Sequence, residues 1–180
     1  MNVVATRFKD LFILEPKVFG DSRGYFMESY NRETLLSKGI DITFAQDNQS
    51  RSSRGVLRGL HFQRNPNAQT KLVRALSGSI LDVVVDLRKK EPTFGQHFSI
   101  ELTADNKKQV LVPKGFAHGF VVLSETAEVF YKCDEFYRAE SDSGINYKSI
   151  DVDWRIPQGD LLLSEKDKNL PHISEAKFDF

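Results

Sequence analysis

The sequence predicts an all-β fold: an antiparallel sandwich or barrel, with a double-sheet jelly roll fitting the number of strands. Three observations predict it. From about residue 43 to residue 134 the chain reads as one short strand candidate after another, separated by turn residues. Only one convincing helix, a short one near residue 31, competes with them. The strands also lack the helical crossovers that a parallel βαβ sheet needs.

The elements follow in order. Leu11–Pro16 and Gly24–Tyr30 are the first strand candidates. Asn31 can cap a helix running to Lys38, with Leu35 and Leu36 as its apolar side and Gly39 as its stop. Thr43–Asn48, Gly55–Gln63 and Lys71–Leu76 come next. The clearest strand is Ile80–Arg88, in which Leu81, Val83, Val85 and Leu87 alternate with Ile80, Asp82, Val84 and Asp86. Period-two alternation sends these sets to opposite sheet faces, and the acidic members make the second face the candidate lining of a polar cavity. His97–Thr103, Gln109–Pro113, Gly119–Leu123 and Glu128–Cys133 complete the strands. After Trp154 the chain is less regular, broken by Pro157, Gly159 and Pro171. No linker, repeat or low-complexity tract divides the 180 residues, so a single domain is expected.

Composition removes several function classes. The 25 basic and 25 acidic residues cancel, which argues against a broad nucleic-acid surface but leaves room for a local basic pocket. The longest apolar runs, Leu11–Leu14 and Phe120–Leu123, are too short to span a bilayer. Arg7, Lys9 and Asp10 interrupt what would be a signal-peptide core, so a cytoplasmic location is expected. Cys133 is the only cysteine, which excludes an internal disulfide framework and a cysteine-rich metal site.

Several polar residues sit inside strand candidates: Gln46, Asn48, Arg58, His61, Lys71, Asp82, His118 and Tyr131. Strict alternation would point Arg58 and His61 to opposite faces. A bulge at the intervening Gly59 would bring both to one side; the alternative leaves Arg58 in solvent. His61 fits a catalytic base or a hydrogen-bonded structural residue, and Lys71 a site cation or an edge lysine. Tyr131 beside Phe130 also suits a core aromatic, and His118 among glycines a turn. Ser164-Glu-Lys-Asp167 resembles a helix-capping pattern. The four histidines His61, His97, His118 and His172 form no His-x-His pair, and no metal is the preferred reading, although ligands from separate strands can meet in space. There is no phosphate loop, nucleophile elbow or dinucleotide fingerprint.

Eight segments, in order over nearly the whole chain, resemble the dTDP-4-dehydrorhamnose 3,5-epimerase family: Phe19-Gly-Asp-Ser-Arg-Gly24, Gln46-Asp-Asn48, Gly55-Val-Leu-Arg-Gly-Leu-His-Phe-Gln63, Lys71-Leu-Val-Arg74, Asp82-Val-Val-Val-Asp-Leu-Arg88, Pro92-Thr-Phe-Gly95, Pro113-Lys-Gly-Phe-Ala-His-Gly-Phe120 and Ser164-Glu-Lys-Asp167. The resemblance implies a cupin-type jelly roll acting on a dTDP-keto-sugar without a metal or organic cofactor. It implies His61 as general base, Asp167 as its partner, Tyr131 as general acid and Lys71 as the stabiliser of the enolate. It also implies substrate contacts by Arg23, Glu28, Gln46, Asn48, Arg58, His118, Asp142 and Lys166. The chain departs from the family at Asp142, where glutamate is common, and at Asn146-Tyr-Lys-Ser149, which replaces a segment commonly carrying tryptophan and aspartate.

The resemblance further implies a homodimer in which the N-terminal region, with Arg23 and Glu28, crosses to the neighbouring subunit. Such pairing would cover the otherwise open edge of Gly24–Tyr30. The rival readings are a C3-only epimerase, a 3,4-ketoisomerase of a related nucleotide keto-sugar, a metal-dependent cupin oxygenase and a non-catalytic sugar-binding jelly roll. The last would not need a base, an acid and an enolate-stabilising lysine together.

Overall fold

A computed structural model describes residues 1–180 and assigns thirteen strands and two short α-helices. In chain order they are β1 (Asn2–Ala5), β2 (Phe12–Glu15), β3 (Val18–Asp21), β4 (Gly24–Met27), α1 (Arg32–Leu36), β5 (Gln46–Ser53) and β6 (Leu57–Gln63). Then come β7 (Lys71–Ser77), β8 (Ser79–Asp86), β9 (His97–Thr103), β10 (Gln109–Val112), β11 (Phe116–Val122), β12 (Thr126–Cys133), β13 (Asp142–Gly144) and α2 (Glu165–Lys168). A six-stranded antiparallel sheet runs β1-β2-β10-β7-β12-β5, and a five-stranded one runs β13-β6-β11-β8-β9. The jelly-roll expectation holds, and no helix is long and apolar enough to cross a membrane.

Alternation explains how the sheets stack. Ile80 and Val84 of β8 meet Val73 and Ala75 of β7, Phe120 and Val122 of β11, and Val129 of β12 in the core between the sheets. Leu81, Val83, Val85 and Leu87 instead face outward under Trp154, Ile156, Ile173 and Phe178 of the C-terminal segment. Both faces of β8 are therefore packed, which explains why the strand is almost continuously apolar. Each such aliphatic side chain contributes roughly 1.5–3 kcal/mol through burial. The acidic members of the inner set do not line the cavity expected of them: Asp82 is buried and accepts from His118, and Asp86 is closed off by Arg88 at 2.7 Å and Thr93 at 2.6 Å.

Helix α1 is shorter than expected, but Asn31 caps it as the sequence suggests, its Oδ1 accepting from the Thr34 N–H. Leu35 pins it beneath Leu14, Leu72 and Leu111 on the outer face of the six-stranded sheet. Strands β1, β3 and β13 were not expected. The hairpin β3–β4 pairs with neither large sheet and carries the exposed side chains Phe19, Tyr25 and Phe26. β5 runs through Ser53 and β11 begins at Phe116, which puts His118 inside a strand and not in a turn.

Candidate active site

The register between β6 and β11 builds the site. His118 faces His61 and Phe120 faces Arg58, so three steps along β6 span two along β11. The extra residue is a bulge that turns both Arg58 and His61 into the space between the sheets, and Gly59 makes it possible. Its φ is +131°, and a Cβ there would lie 2.6 Å from Gly119 Cα. Only glycine fits this close crossing of two backbones.

Seven of the twelve residues singled out by the sequence line one cavity of about 530 Å³: Arg58, His61, Lys71, His118, Tyr131, Lys166 and Asp167. Gln46, Asn48 and Asp142 line an adjoining cavity of about 220 Å³, whose wall also includes His61, Lys71, Tyr131 and Lys166. Arg23 and Glu28 line neither. Arg23 projects from the β3–β4 hairpin and pairs with Asp21 at 2.6 Å, and Glu28 accepts from the Asn31 amide at 3.0 Å.

His61 Nε2 lies 2.6 Å from Asp167 Oδ1. Asp167 is only 4% exposed and sits in the first turn of α2, where Ser164 Oγ accepts from its N–H. Burial alone would raise the carboxyl's pKa. Hydrogen bonding from His61, the His61 charge, and further bonds from Ser164 and the Gly59 backbone outweigh that and hold it below the usual carboxylate range. Asp167 is therefore ionised at neutral pH and accepts a hydrogen bond from the His61 ring at Nε2.

Tyr131 comes from β12, on the opposite sheet, and burial raises its pKa, so its hydroxyl keeps its proton. Lys71 makes no ion pair and lies 6.0 Å from the Tyr131 ring centroid. Burial lowers the pKa of its ammonium. Cys133, opposite Lys71 in the strand register, is a buried thiol pushed up to about 11 by desolvation. Arg58 Nε donates to Ser52 Oγ at 3.0 Å, and His118 Nε2 lies 2.7 Å from Asp82 Oδ2. Asp142 accepts from Tyr137 Oη at 3.1 Å and pairs with Lys166. Tyr137 was missed by sequence reasoning because its loop has no periodicity. Ser52 was missed because it lies beyond Asn48, where the expected strand ended.

The family model described as dTDP-4-dehydrorhamnose 3,5-epimerase matches residues 5–175. The chain belongs to that family. As an epimerase it is an isomerase. The Shigella flexneri dTDP-4-dehydrorhamnose 3,5-epimerase is 51% identical over 181 residues, covering 99% of both chains. The crystal structure of the Elizabethkingia anophelis family member superposes with a TM-score of 0.93 at 51% identity, covering 97% of each chain. A Legionella pneumophila 3,5-epimerase crystallised with dTDP-4-keto-L-rhamnose gives a TM-score of 0.92 at 44% identity, over 97% of this chain and 93% of that one. The epimerase fold of these relatives is the cupin-like jelly roll described above.

Proposed function

We propose that this chain inverts C3 and C5 of dTDP-4-dehydro-6-deoxy-D-glucose, giving dTDP-4-dehydro-L-rhamnose. One observation carries the reading: an ionised Asp167 holds His61 on one sheet, with Tyr131 on the other and the unpaired ammonium of Lys71 in the same cavity. The C4 carbonyl acidifies the hydrogens on C3 and C5, and His61 removes one of them. The electron pair moves onto the C4 oxygen as an enolate, which Lys71 stabilises more effectively than mobile water because its charge is already in place. Tyr131 then donates a proton to the carbon from the opposite face, and the centre is inverted. Once His61 has released its proton to solvent and Tyr131 has taken one up, the same cycle acts on the second carbon. Placed acid and base groups each contribute roughly 10²–10⁴-fold.

Arg58, His118 and Lys166 supply donors and positive charge for the nucleotide diphosphate, with Gln46, Asn48 and Asp142 in the adjoining cavity. The proposed chemistry uses no metal or organic cofactor. Arg23 and Glu28 line neither cavity of the site in their own chain, and in this reading they serve the site of a second copy. The unpaired β3–β4 hairpin, with its exposed aromatics, supports a homodimer in which it crosses to the neighbouring subunit. A buried free thiol as the only cysteine suits the cytoplasm.

The test incubates the enzyme with the keto-sugar in D₂O and locates deuterium by NMR. Label at both C3 and C5 is expected; label confined to C3 would reassign the chain as a C3-only epimerase. His61→Ala should nearly abolish exchange at both carbons, and Tyr131→Phe should impair inversion more than proton removal. Equal and mild losses in both variants would remove the division into base and acid.

A further inference from the structure

Asp167 does not stand on either large sheet. It is delivered by a strap, residues 160–167, that crosses the start of β6. The Leu162 N–H donates to the Gly55 carbonyl at 2.9 Å, and the Leu162 carbonyl accepts from the Leu57 N–H at 2.9 Å, making a short parallel bridge beside Val56. Two residues later Ser164 caps α2, and Asp167 reaches His61 within the first turn. The strap is thus tied to the strand that carries the base, three residues before Arg58.

The closeness of this approach is set at Gly55. Its φ is +81°, which side-chain-bearing residues rarely adopt. A Cβ there would lie 2.5 Å from the Asp160 carbonyl oxygen and 3.9 Å from Ile156 Cγ2. The first contact is with the backbone of the strap, so it is relieved only by moving the strap or the start of β6. Gly55 itself is buried and lines neither cavity of the site. A displacement of about 1 Å in a catalytic group is enough to cost roughly 10²-fold in rate.

We propose that Gly55 is a positioning residue for proton abstraction: the close backbone approach it permits seats the strap and thereby sets Asp167 against His61. The inference rests on the reading above, in which Asp167 orients the base. Gly55→Ala acts through Asp167 and therefore couples to it.

The experiment is a double-mutant cycle read as kcat for deuterium wash-in from D₂O. Alone, Gly55→Ala should lower kcat by about 10²-fold. In an Asp167→Asn background it should cost less than about threefold, because the carboxylate it displaces is already gone. Should Gly55→Ala fail to fold, Leu162→Pro carries the same test. It removes the N–H that binds Gly55, and the preceding Leu161 already has an extended ψ of 127°; because Leu162 also stands at the rim of the larger cavity, Leu162→Ala is the control for loss of its side chain. Losses that multiply independently in the double variants would overturn the proposal, as would a folded Gly55→Ala enzyme with wild-type kcat. If Asp167→Asn alone leaves kcat unchanged, the reading of the dyad falls and this inference with it. A crippled Asp167→Asn beside a fully active Gly55→Ala removes only the role of Gly55.

Discussion

Gly59→Ala is the substitution whose cost is best defined by the structure. The added methyl would lie 2.6 Å from Gly119 Cα and 2.9 Å from the His118 carbonyl oxygen. Both are backbone atoms of β11, which is held on its other side by a full ladder to β8, so neither yields as a side-chain tip would. Holding an alanine at φ +131° costs about 1–3 kcal/mol, and forcing the two strands apart about 1–3 kcal/mol more. The expected loss is on the order of 2–6 kcal/mol out of a total stability of about 5–15 kcal/mol. At this chain length that lowers Tm by roughly 5–20 °C. Gly159→Ala is the control, since no atom lies within 4 Å of its Cβ position, and it should change stability by less than about 0.5 kcal/mol. Urea unfolding followed by fluorescence of the buried Trp154, at matched protein concentration, measures both. A Gly59→Ala protein within about 1 kcal/mol of the control would refute the claim that the two backbones cross too closely for a side chain.

Four further outcomes are expected. Because burial lowers the Lys71 pKa, kcat should fall on the alkaline side as the ammonium is lost below the ordinary lysine value of 10.5; a Lys71→Arg enzyme, slower but always charged, should lack that limb in its pH–rate profile. Asp167 has a depressed folded-state pKa, so its stabilisation is complete above the unfolded value of about 3.8 and disappears as pH falls through the folded one. Urea titrations between pH 5 and pH 2, a window of about three units below neutral operation, should therefore show a flatter loss in Asp167→Asn than in the wild type. Mixing an Arg23→Ala subunit with a His61→Ala subunit, once exchange into heterodimers is confirmed by light scattering and tagged pull-down, should regenerate some active sites; heterodimers without recovered activity would count against sites shared between chains. Activity should survive exhaustive chelation and dialysis, and a loss restored by added divalent metal would overturn the cofactor-free chemistry.

Much of the fold was legible because one-residue alternation is unforgiving. In Ile80–Asp86 a shift of one position would exchange Val83 and Val85 with Asp82 and Val84, so the two sets separate from the residues alone, whereas the packing of the acidic set into the core does not. The bulge was legible because Arg58 and His61 are three apart with a glycine between them. Other elements carried no such signal. β3 is exposed on every residue, so it has no buried face to produce a pattern. β13 is three residues long. β5 continues past Asn48 through Gln-Ser-Arg-Ser-Ser, where the inward side is a polar cavity wall and the usual apolar alternation is missing. The site residues came from ordered motifs more than from periodicity. Their convergence depends on strands far apart in sequence, with His61 and Asp167 separated by 106 positions. The partner of His118 was visible as an acidic residue inside a strand, but its direction toward His118 is fixed only by the β8–β11 register.

The proposed base and acid ride on different sheets, His61 on β6 and Tyr131 on β12, and share no ladder. What keeps them apart is the thickness of the filling between the sheets, including Val73, Val84 and Val129. Facing sheets stand about 10 Å apart, and a methylene more or less in that filling is felt because interiors are close-packed. The distance a proton donor keeps from the sugar is therefore gauged by aliphatic volume that never meets the sugar. Trimming Val129, two residues along the same face of β12 from Tyr131, would reset that gauge from within the core. A chain of this fold can thus be refitted to a thicker or thinner ring without altering any group that handles the proton.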